Sequence, residues 1–301
     1  YENKYSFNTK NRVRIQVKNA PNVSVEMTDG SFATFTDANG YAYLYPEKIE
    51  DKYEVYITYN DVNKDKKKIK ATIKNDDVIS LTDKTYKNDV IELMFVIDTT
   101  GSMGDEINYL KVEIDDVISE IQEKNPNTVI KLALLFYRDK GDEYVTRYFD
   151  FTQDIQKQKN NLSNQNANGG GDFEEAVYKA LGEAVDKQWS SSSETRVLVH
   201  VADAPSHDNE VKEWNKNVLK LTKKGIKVIS VASSGIDKKT EYFFRSQSMI
   251  TGGCYVYLTD DSGVGVTHIE ATTEVKPVVE YLNKLLIRLI NGYHTGNYGT
   301  A

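Results

Sequence analysis

The chain has 301 residues, of which 45 are acidic and 38 are basic, and its formal net charge at pH 7 is -7. This length is enough for one large or two ordinary domains with a substantial core, and the acidic balance argues against nucleic acid as the main partner. A single cysteine, Cys254, excludes an intrachain disulfide and a cluster of thiolate metal ligands.

No stretch of the sequence approaches the roughly 18 apolar residues that a membrane span needs. Because the chain begins at Tyr1 without an initiator methionine, we expect that a leader segment has been removed and that the protein lies outside the cell or on its surface. The cysteine usage is also consistent with a cytoplasmic protein.

The first part of the chain has the pattern of an all-β domain. Short runs such as RVRIQV, YAYLY and YEVYITY mostly alternate in polarity, which is typical of half-buried strands. The turn signals Asp29-Gly30 and Asn39-Gly40 lie between some of these runs. We therefore predict a β-sandwich over residues 12–88 and assign residues 1–88 to a first domain.

From residue 89 onward, the pattern changes to strands that alternate with helices. The near-continuous apolar run IELMFVI is typical of a central parallel strand. The other predicted strands are VIKLALLFY, the edge strand YVTRYFDF, RVLVHVA, KVISVA and CYVYL. Helical spacing of apolar residues begins at Ile107 and recurs near residues 176–185, 209–224, 240–249 and 278–290. We predict a doubly wound, Rossmann-like α/β domain with a mostly parallel sheet over residues 89–301.

The segment VIDTTGSMGDEI (residues 96–107) contains the clearest functional signal. Asp98, Thr100 and Ser102 recur with period two after the first strand of this domain, at the edge where the active sites of such sheets lie. If the loop is extended, the three side chains point the same way. One carboxylate with two hydroxyls is a hard oxygen donor set, which suits Mg²⁺, Mn²⁺ or Ca²⁺ better than Zn²⁺.

Four other interpretations of this segment are weaker. A phosphate-binding P-loop needs a lysine where this chain has Asp105, and an aspartic protease needs a second copy of the Asp-Thr-Gly triplet. A serine nucleophile at Ser102 has only His207 as a plausible base. The fourth interpretation is that Thr100 and Ser102 only cap the helix that follows.

The pattern DTTGSM at the end of an apolar strand resembles the first metal-binding loop of von Willebrand factor type A domains, the Asp-x-Ser/Thr-x-Ser element of the metal-ion-dependent adhesion site. The resemblance covers roughly residues 89–293 and extends to two later loops, NGGGDFEEA (residues 168–176) and HVADAPSHD (residues 200–208). It implies an ion site formed by Asp98, Thr100, Ser102 and, through a water molecule, Asp203.

The second loop departs from the usual family pattern, because many members have a threonine ligand where this chain has Gly171. Gly171 or the adjacent Asp172 is then expected at the second-loop position of the ion site. Asp172 also has another interpretation, since Asp172 and Glu175 form a capping-box pattern before an apolar-periodic helix. The two interpretations are compatible, because one carboxylate can cap a helix and face an ion.

Further segments support or extend the resemblance. FYRDKGDEY (residues 136–144) and ADAPSH are similar to segments of bacterial and alpha-kinase-associated family members, which places Arg138, Asp139 and His207 on the rim of the site. The two predicted domains leave no room for a kinase domain, so phosphoryl transfer is not expected. The first domain more weakly resembles transthyretin-like or carboxypeptidase-regulatory β-sandwiches, chiefly through TDANGYAYL, which implies a spacer or accessory binding domain.

Together these features predict a non-enzymatic adhesion module that holds Mg²⁺, or else Mn²⁺ or Ca²⁺, and recognises an acidic side chain of a protein partner. Two alternatives stay open. One is a structural module whose metal site is vacant or only stabilising. The other is a metal-assisted hydrolase, in which Asp139 or His207 acts as a base toward metal-bound water.

Overall fold

The computed structural model describes residues 2–5, 8–82, 89–190, 195–259 and 279–300. It contains an N-terminal β-rich region, followed by a mixed α/β region. The predicted boundary falls beside residues 83–88, which lie outside the described residues, and the division into two domains stays a prediction. No helix in the described part of the chain is long and apolar enough to cross a membrane.

The N-terminal region begins with a short helix, α1 (Glu2–Tyr5), and continues as two sheets. Its strands are β1 (Val13–Lys18), β2 (Ser24–Met27), β3 (Ala33–Phe35), β4 (Tyr41–Leu44), β5 (Tyr53–Asn60), β6 (Lys66–Ile73) and β7 (Asp77–Ser80). One sheet has the order β4-β1-β7 and the other β3-β2-β5-β6. Burial alternates along β1 and β5, and the buried residues of both sheets join one hydrophobic core, as expected for a sandwich.

The α/β region is organised around one six-stranded sheet. Its strands are β8 (Val90–Asp98), β9 (Val129–Tyr137), β10 (Thr146–Thr152), β11 (Thr195–Ala202), β12 (Ile226–Ala232) and β13 (Cys254–Tyr257). They lie in the order β10-β9-β8-β11-β12-β13, and only the edge strand β10 pairs antiparallel with its neighbour. The predicted parallel sheet with an edge strand after β9 is therefore confirmed.

Helices cover both faces of this sheet. They are α2 (Gly104–Lys124), α3 (Ile155–Ser163), α4 (Val177–Asp186), α5 (Val211–Lys223), α6 (Lys238–Thr251) and α7 (Leu282–Thr295). Buried residues of α2, α3 and α7 share one apolar core, whereas those of α4, α5 and α6 join the core on the opposite face. The doubly wound architecture follows from this arrangement.

Three details differ from the sequence predictions. α3 lies in the polar stretch that carried no helix prediction, because Gln158 and Leu162 are its only buried residues and its apolar periodicity is weak. α7 begins at Leu282, four residues later than predicted. The capping box is wrong, because α4 begins at Val177, after Glu175 has paired with Ser206 as an isolated β-bridge.

The two regions share one hydrophobic core and also make polar and aromatic contacts. The buried residues of the β-rich region and those of α4, α5 and α6 belong to the same apolar cluster. Arg196 of β11 donates to the Asn22 side chain (2.9 Å), and its guanidinium lies 5.2 Å from the centre of the Phe35 ring. The Tyr45 hydroxyl donates to the Met249 carbonyl (3.2 Å). The β-rich region therefore packs directly against the α/β region.

Candidate metal centre

Three loops meet at the carboxyl edge of the parallel sheet. β8 ends at Asp98, and its neighbour β11 ends one residue before Asp203. The chain leaves these two strands in opposite directions, because β9 lies beyond β8 and β12 lies beyond β11. Ligand sites of open α/β sheets form in the crevice at such a reversal of strand order.

Main-chain hydrogen bonds hold the three loops together. The Asn168 N–H donates to the Thr99 carbonyl (3.0 Å), and the Gly101 N–H donates to the Gly169 carbonyl (3.1 Å), which pairs the first loop with the second. The Glu175 N–H donates to the Pro205 carbonyl (3.0 Å) and ties the second loop to the third. These main-chain hydrogen bonds fix the positions of the three loops that carry the side chains of the site.

Asp98 is fully buried, and the described residues satisfy only one of its carboxylate oxygens. Oδ1 accepts hydrogen bonds from the Thr100 N–H (2.9 Å) and hydroxyl (2.7 Å), whereas Oδ2 has no partner among the described residues. Burial and the charge of nearby Asp203 raise the pKa of Asp98 to about 8, although hydrogen bonds from Thr100 and Tyr137 act in the opposite direction. Burying an unpaired carboxylate is destabilising, and a cation beside Oδ2 would offset that cost.

The first loop is not extended along its whole length, so the condition under which its three oxygen side chains would point the same way is not met. Thr100 has extended backbone angles (φ -70°, ψ 169°), but Gly101–Met103 form a turn of 3₁₀ helix. The Thr100 hydroxyl makes no capping hydrogen bond and instead donates to Asp98, so the interpretation of Thr100 as only a cap is wrong. Ser102 is exposed and still contributes to the site, because its hydroxyl hydrogen-bonds the Asp203 carboxylate.

Asp203 and Glu106 add two buried carboxylates to the same crevice. Burial raises the pKa of Asp203, while the hydrogen bond from Ser102 acts in the opposite direction and the charge of Glu106 raises it further. Glu106, in the first turn of α2, accepts from the Ser234 N–H (3.2 Å) and hydroxyl (2.9 Å) through Oε1. Its Oε2 has no partner within the described part of the chain.

Glu175 is the site residue that sequence reasoning missed. It is only 3% exposed, and Oε2 of its carboxylate lacks a hydrogen-bond partner among the described residues. Gly170 lies between the side chains of Glu175 and Thr100. A Cβ atom built on Gly170 would lie only 3.2 Å from Glu175 Oε1 and 3.3 Å from Thr100 Cβ, so there is little space for a larger residue. Burial raises the pKa of Glu175 to about 10, and the charges of Asp98, Asp139 and Asp203 act in the same direction.

Gly171 and Asp172 occupy more peripheral positions than Glu175. Both are exposed, and a Cβ on Gly171 would meet open space. The Asp172 carboxylate lies with Asp139 and His207, and the ligand atoms of these three side chains are all within 4.8 Å of one another. The structure therefore brings Asp172 to the predicted rim residues, and Glu175 is the buried acid of the second loop.

The predicted rim residue Arg138 is buried and directs its guanidinium into the loops. It donates to the Thr99 carbonyl (3.1 Å) and the Asn166 carbonyl (3.0 Å), and it pairs with Glu143 at 3.3 Å. Arg138 is therefore a brace between the first and second loops.

The donor set fits a hard divalent cation. The crevice contains buried carboxylates with unused oxygens, neighbouring hydroxyls and no described thiolate, since Cys254 lies in β13. Oxygen-only sets of this kind suit Mg²⁺, Mn²⁺ or Ca²⁺. The unused oxygens of Asp98 and Glu175 are the observation that favours an ion here.

A family model described as the von Willebrand factor A domain matches residues 92–271, more than half of the chain. The chain is 26% identical over 218 residues to the alpha-protein kinase vwkA of Dictyostelium discoideum, covering 71% of this chain and 34% of that protein. It is also 26% identical over 219 residues to an ariadne-like RING finger protein of Acanthamoeba polyphaga mimivirus, covering 67% of this chain and 20% of that protein.

Among solved structures, the conserved hypothetical protein BatB from Bacteroides thetaiotaomicron matches with a TM-score of 0.43 and 14% identity. The match covers 56% of this chain and 90% of BatB. The chain spans about a third and a fifth of the length of the two curated relatives.

Proposed function

Since this chain belongs to the von Willebrand factor A domain family, whose members are generally protein-interaction modules, we propose that it recognises a protein partner through a bound divalent cation. The proposal assigns a binding role, not a catalytic one, to the carboxyl edge of the sheet. Mg²⁺ is the ion we favour among the hard divalent cations that an oxygen-only donor set suits, because it keeps water-filled coordination positions that a partner can take.

The observation that carries the proposal is the buried, unused carboxylate oxygen at Asp98. Asp98 sits at the end of an interior strand beside Asp203 and Glu175, and no described cationic side chain pairs with it. Keeping several acids together without counter-charge lowers the stability of the fold. A site that retains them anyway is best explained by a cation that binds there.

The residues that would hold the ion come from all three loops. They are Asp98, Thr100, Ser102, Glu175 and Asp203, with Glu175 in place of the predicted Gly171 or Asp172. When bound, the cation supplies an electrophilic position to which a carboxylate of a partner can bind. The exposed Phe173 side chain, 41% accessible, lies on the second loop and offers apolar contact beside that position.

Thermal unfolding of chelator-treated protein tests the ion site. At about one hundred times its dissociation constant, Mg²⁺ is expected to stabilise the wild type by roughly 2.7 kcal/mol. The variant Asp98→Asn should lose this shift, whereas the control Asp105→Asn, which changes an exposed acid in the first turn of α2, should keep it. An unchanged wild-type midpoint across Mg²⁺, Mn²⁺ and Ca²⁺ would contradict the site and favour a purely structural module.

Partner recognition needs a separate measurement. Peptides that each contain one glutamate or aspartate, displayed as a library, should bind the wild type in Mg²⁺ and be released by chelator. The matched library with glutamine and asparagine should not bind. Binding that persists in chelator would show that recognition does not use the ion.

A second candidate function, metal-assisted hydrolysis, is favoured by one observation. His207 Nε2 lies 2.8 Å from Asp139 Oδ1 on the rim, an arrangement that orients an imidazole as a base. A panel of activated esters and phosphate esters, assayed with Mg²⁺ for the wild type and for His207→Gln, distinguishes the two functions. Turnover that depends on both Mg²⁺ and His207 would support the hydrolase.

A further inference from the structure

Asp139, Asp172 and His207 come from three different loops and converge on the rim of the carboxyl edge. Their ligand atoms lie within 4.8 Å of one another, and His207 Nε2 is 2.8 Å from Asp139 Oδ1. We propose that these residues form a second metal site, distinct from the Asp98 site, which takes a borderline divalent cation of the Zn²⁺ and Co²⁺ class. An imidazole with two carboxylates favours such ions over Mg²⁺ and Ca²⁺.

The loop that carries Asp172 is held against Asp139 by a specific glycine-dependent contact. The Gly170 N–H donates to Asp142 Oδ2 (3.0 Å), and the Asp139 N–H donates to the same oxygen (3.2 Å). Gly169 has a positive φ of 81°, and a Cβ there would lie 2.4 Å from Asp142 Oδ1. Only glycine lets the second loop close onto Asp142, and this closure brings Asp172 to Asp139.

The loop that carries His207 is fixed on both sides of the imidazole. Before it, Ser206 pairs with Glu175 as a β-bridge. After it, Asp208 accepts hydrogen bonds from Lys4 and Tyr5 at the start of the chain, both at 2.8 Å, and forms an ion pair with Lys239 at 2.8 Å. Ligands anchored in this way form a site with little further ordering, which favours affinity.

The carboxylates of this edge outnumber the basic side chains that could pair with them. Seven carboxylates lie in or beside the crevice: Asp98, Glu106, Asp139, Asp142, Asp172, Glu175 and Asp203. The cations of the surrounding loops pair with other acids, namely Arg138 with Glu143, Lys140 with Glu210, and Lys239 with Glu174 and Asp208. Asp139 and Asp172 have no lysine or arginine partner among the described residues, so their carboxylates are available to a metal ion.

Glu175 lies near both sites. Its carboxylate is nine-tenths or more buried, it keeps an oxygen without a described partner, and it lies close enough to both Asp98 and Asp139 for their charges to act on it. A carboxylate has enough lone pairs to serve two neighbouring cations. The rim site thus goes beyond the proposed partner recognition and does not depend on it.

Titration with Co²⁺, followed by its visible absorption and by calorimetry, tests the rim site in the intact chain without an affinity tag. In saturating Mg²⁺, the wild type should bind one equivalent of Co²⁺ with the absorption of a nitrogen-containing site. Asp172→Asn and His207→Gln should each weaken this binding by about tenfold or more. Asp105→Asn and Asp98→Asn should retain it.

The variants also separate the two proposals. Asp172→Asn should keep the Mg²⁺-induced shift of the unfolding midpoint, which shows that it is folded and that the Asp98 site is intact. Co²⁺ binding without any Mg²⁺ shift in the wild type would leave the rim site standing and contradict the proposed function. Absence of Co²⁺ binding, or binding that neither Asp172→Asn nor His207→Gln weakens, would overturn the rim site.

Discussion

The β-rich and α/β regions both bury apolar side chains, but they treat buried polar groups very differently. Within residues 8–82, the buried polar side chains are the neutral Thr34 and Thr36, and Thr36 both donates to Ala20 and accepts from Val23. The α/β region buries charged side chains at several positions, which include Glu92, Asp98, Glu106, Glu175 and Asp203. Burial of charge is costly, so the charged side chains inside the α/β region indicate a functional site there. The β-rich region has the neutral interior of a region that contributes mainly stability.

The buried acids of the α/β region are not equivalent. Glu92, near the start of β8, accepts hydrogen bonds from the Ser190 N–H (2.6 Å) and hydroxyl (2.5 Å) and lies 3.6 Å from Lys131 Nζ. Asp98, at the other end of the same strand, keeps an unused oxygen. One strand therefore carries a satisfied acid at one end and an unsatisfied acid at the other, and only the second indicates a ligand.

The largest expected effect concerns the apolar core of the β-rich region. Ile57 of β5 is fully buried, so Ile57→Ala should lower the free energy of unfolding by about 2–5 kcal/mol, as measured by urea denaturation. Ile49, which is 77% exposed, provides the matched control, and Ile49→Ala should have little effect. The Mg²⁺-dependent increment should be the same in both variants. If Ile57→Ala loses the Mg²⁺-dependent increment, the ion site depends on the core of the β-rich region, and the two regions do not have separate roles.

The two ends of β8 should respond to neutralisation with opposite signs. Glu92→Gln should destabilise the metal-free protein by about 1–3 kcal/mol, because it weakens a satisfied charged network. Asp98→Asn should stabilise the metal-free protein by about 1 kcal/mol, because the fold no longer has to bury an unpaired charge or keep a proton that the unfolded chain releases. Denaturation in chelator measures both. Equal destabilisation by the two changes would mean that Asp98 is as well satisfied as Glu92.

The pH dependence of stability should show the same asymmetry. Asp98 and Glu175 have pKa values raised to about 8 and about 10 in the fold, so the folded metal-free protein holds protons that the unfolded chain has released. Stability is therefore lost as the pH rises through these values, with a slope of at most about 1.4 kcal/mol per pH unit for each group. Denaturation should be measured between about pH 7 and pH 9, where His200 does not contribute. Burial lowers the pKa of His200 to about 3, so this residue affects stability only below the pKa of histidine in the unfolded chain. Asp98→Asn should reduce the slope of the free energy of unfolding against pH. If the slope does not change, the protons are held by groups other than Asp98.

The smallest expected effect concerns the contact between the two regions. Tyr45→Phe removes the hydrogen bond to the Met249 carbonyl and should lower the free energy of unfolding by about 0.5–1.5 kcal/mol. If the regions unfold as one unit, fluorescence and far-ultraviolet circular dichroism should report the same shifted midpoint. Two separate midpoints, with only one shifted, would show that each region unfolds by itself.

Most of the fold follows from local patterns in the sequence. The apolar run of β8 and the periodicity of α2 predict their elements, and the rule that ligands bind at strand ends places Asp98 in the site. Asp203 is predicted only through the family resemblance of its loop. Glu175 escaped prediction for a physical reason. Its spacing from Asp172 matches a capping box, but the pairing of its backbone with the third loop delays the helix to Val177 and turns the carboxylate inward. Such a long-range contact has no signature in the local sequence.

The place of Asp98 in the sheet has a mechanical consequence. Asp98 ends β8, which lies in the interior of the sheet between β9 and β11 and pairs with both along most of its length. A partner that pulls on an ion held there would load both hydrogen-bond ladders at once, in shear along the strand. Rupture in shear requires many bonds to break together, whereas peeling breaks them one at a time. A tether attached at this end of β8 should therefore withstand more force in a pulling experiment than one attached to the edge strand β13.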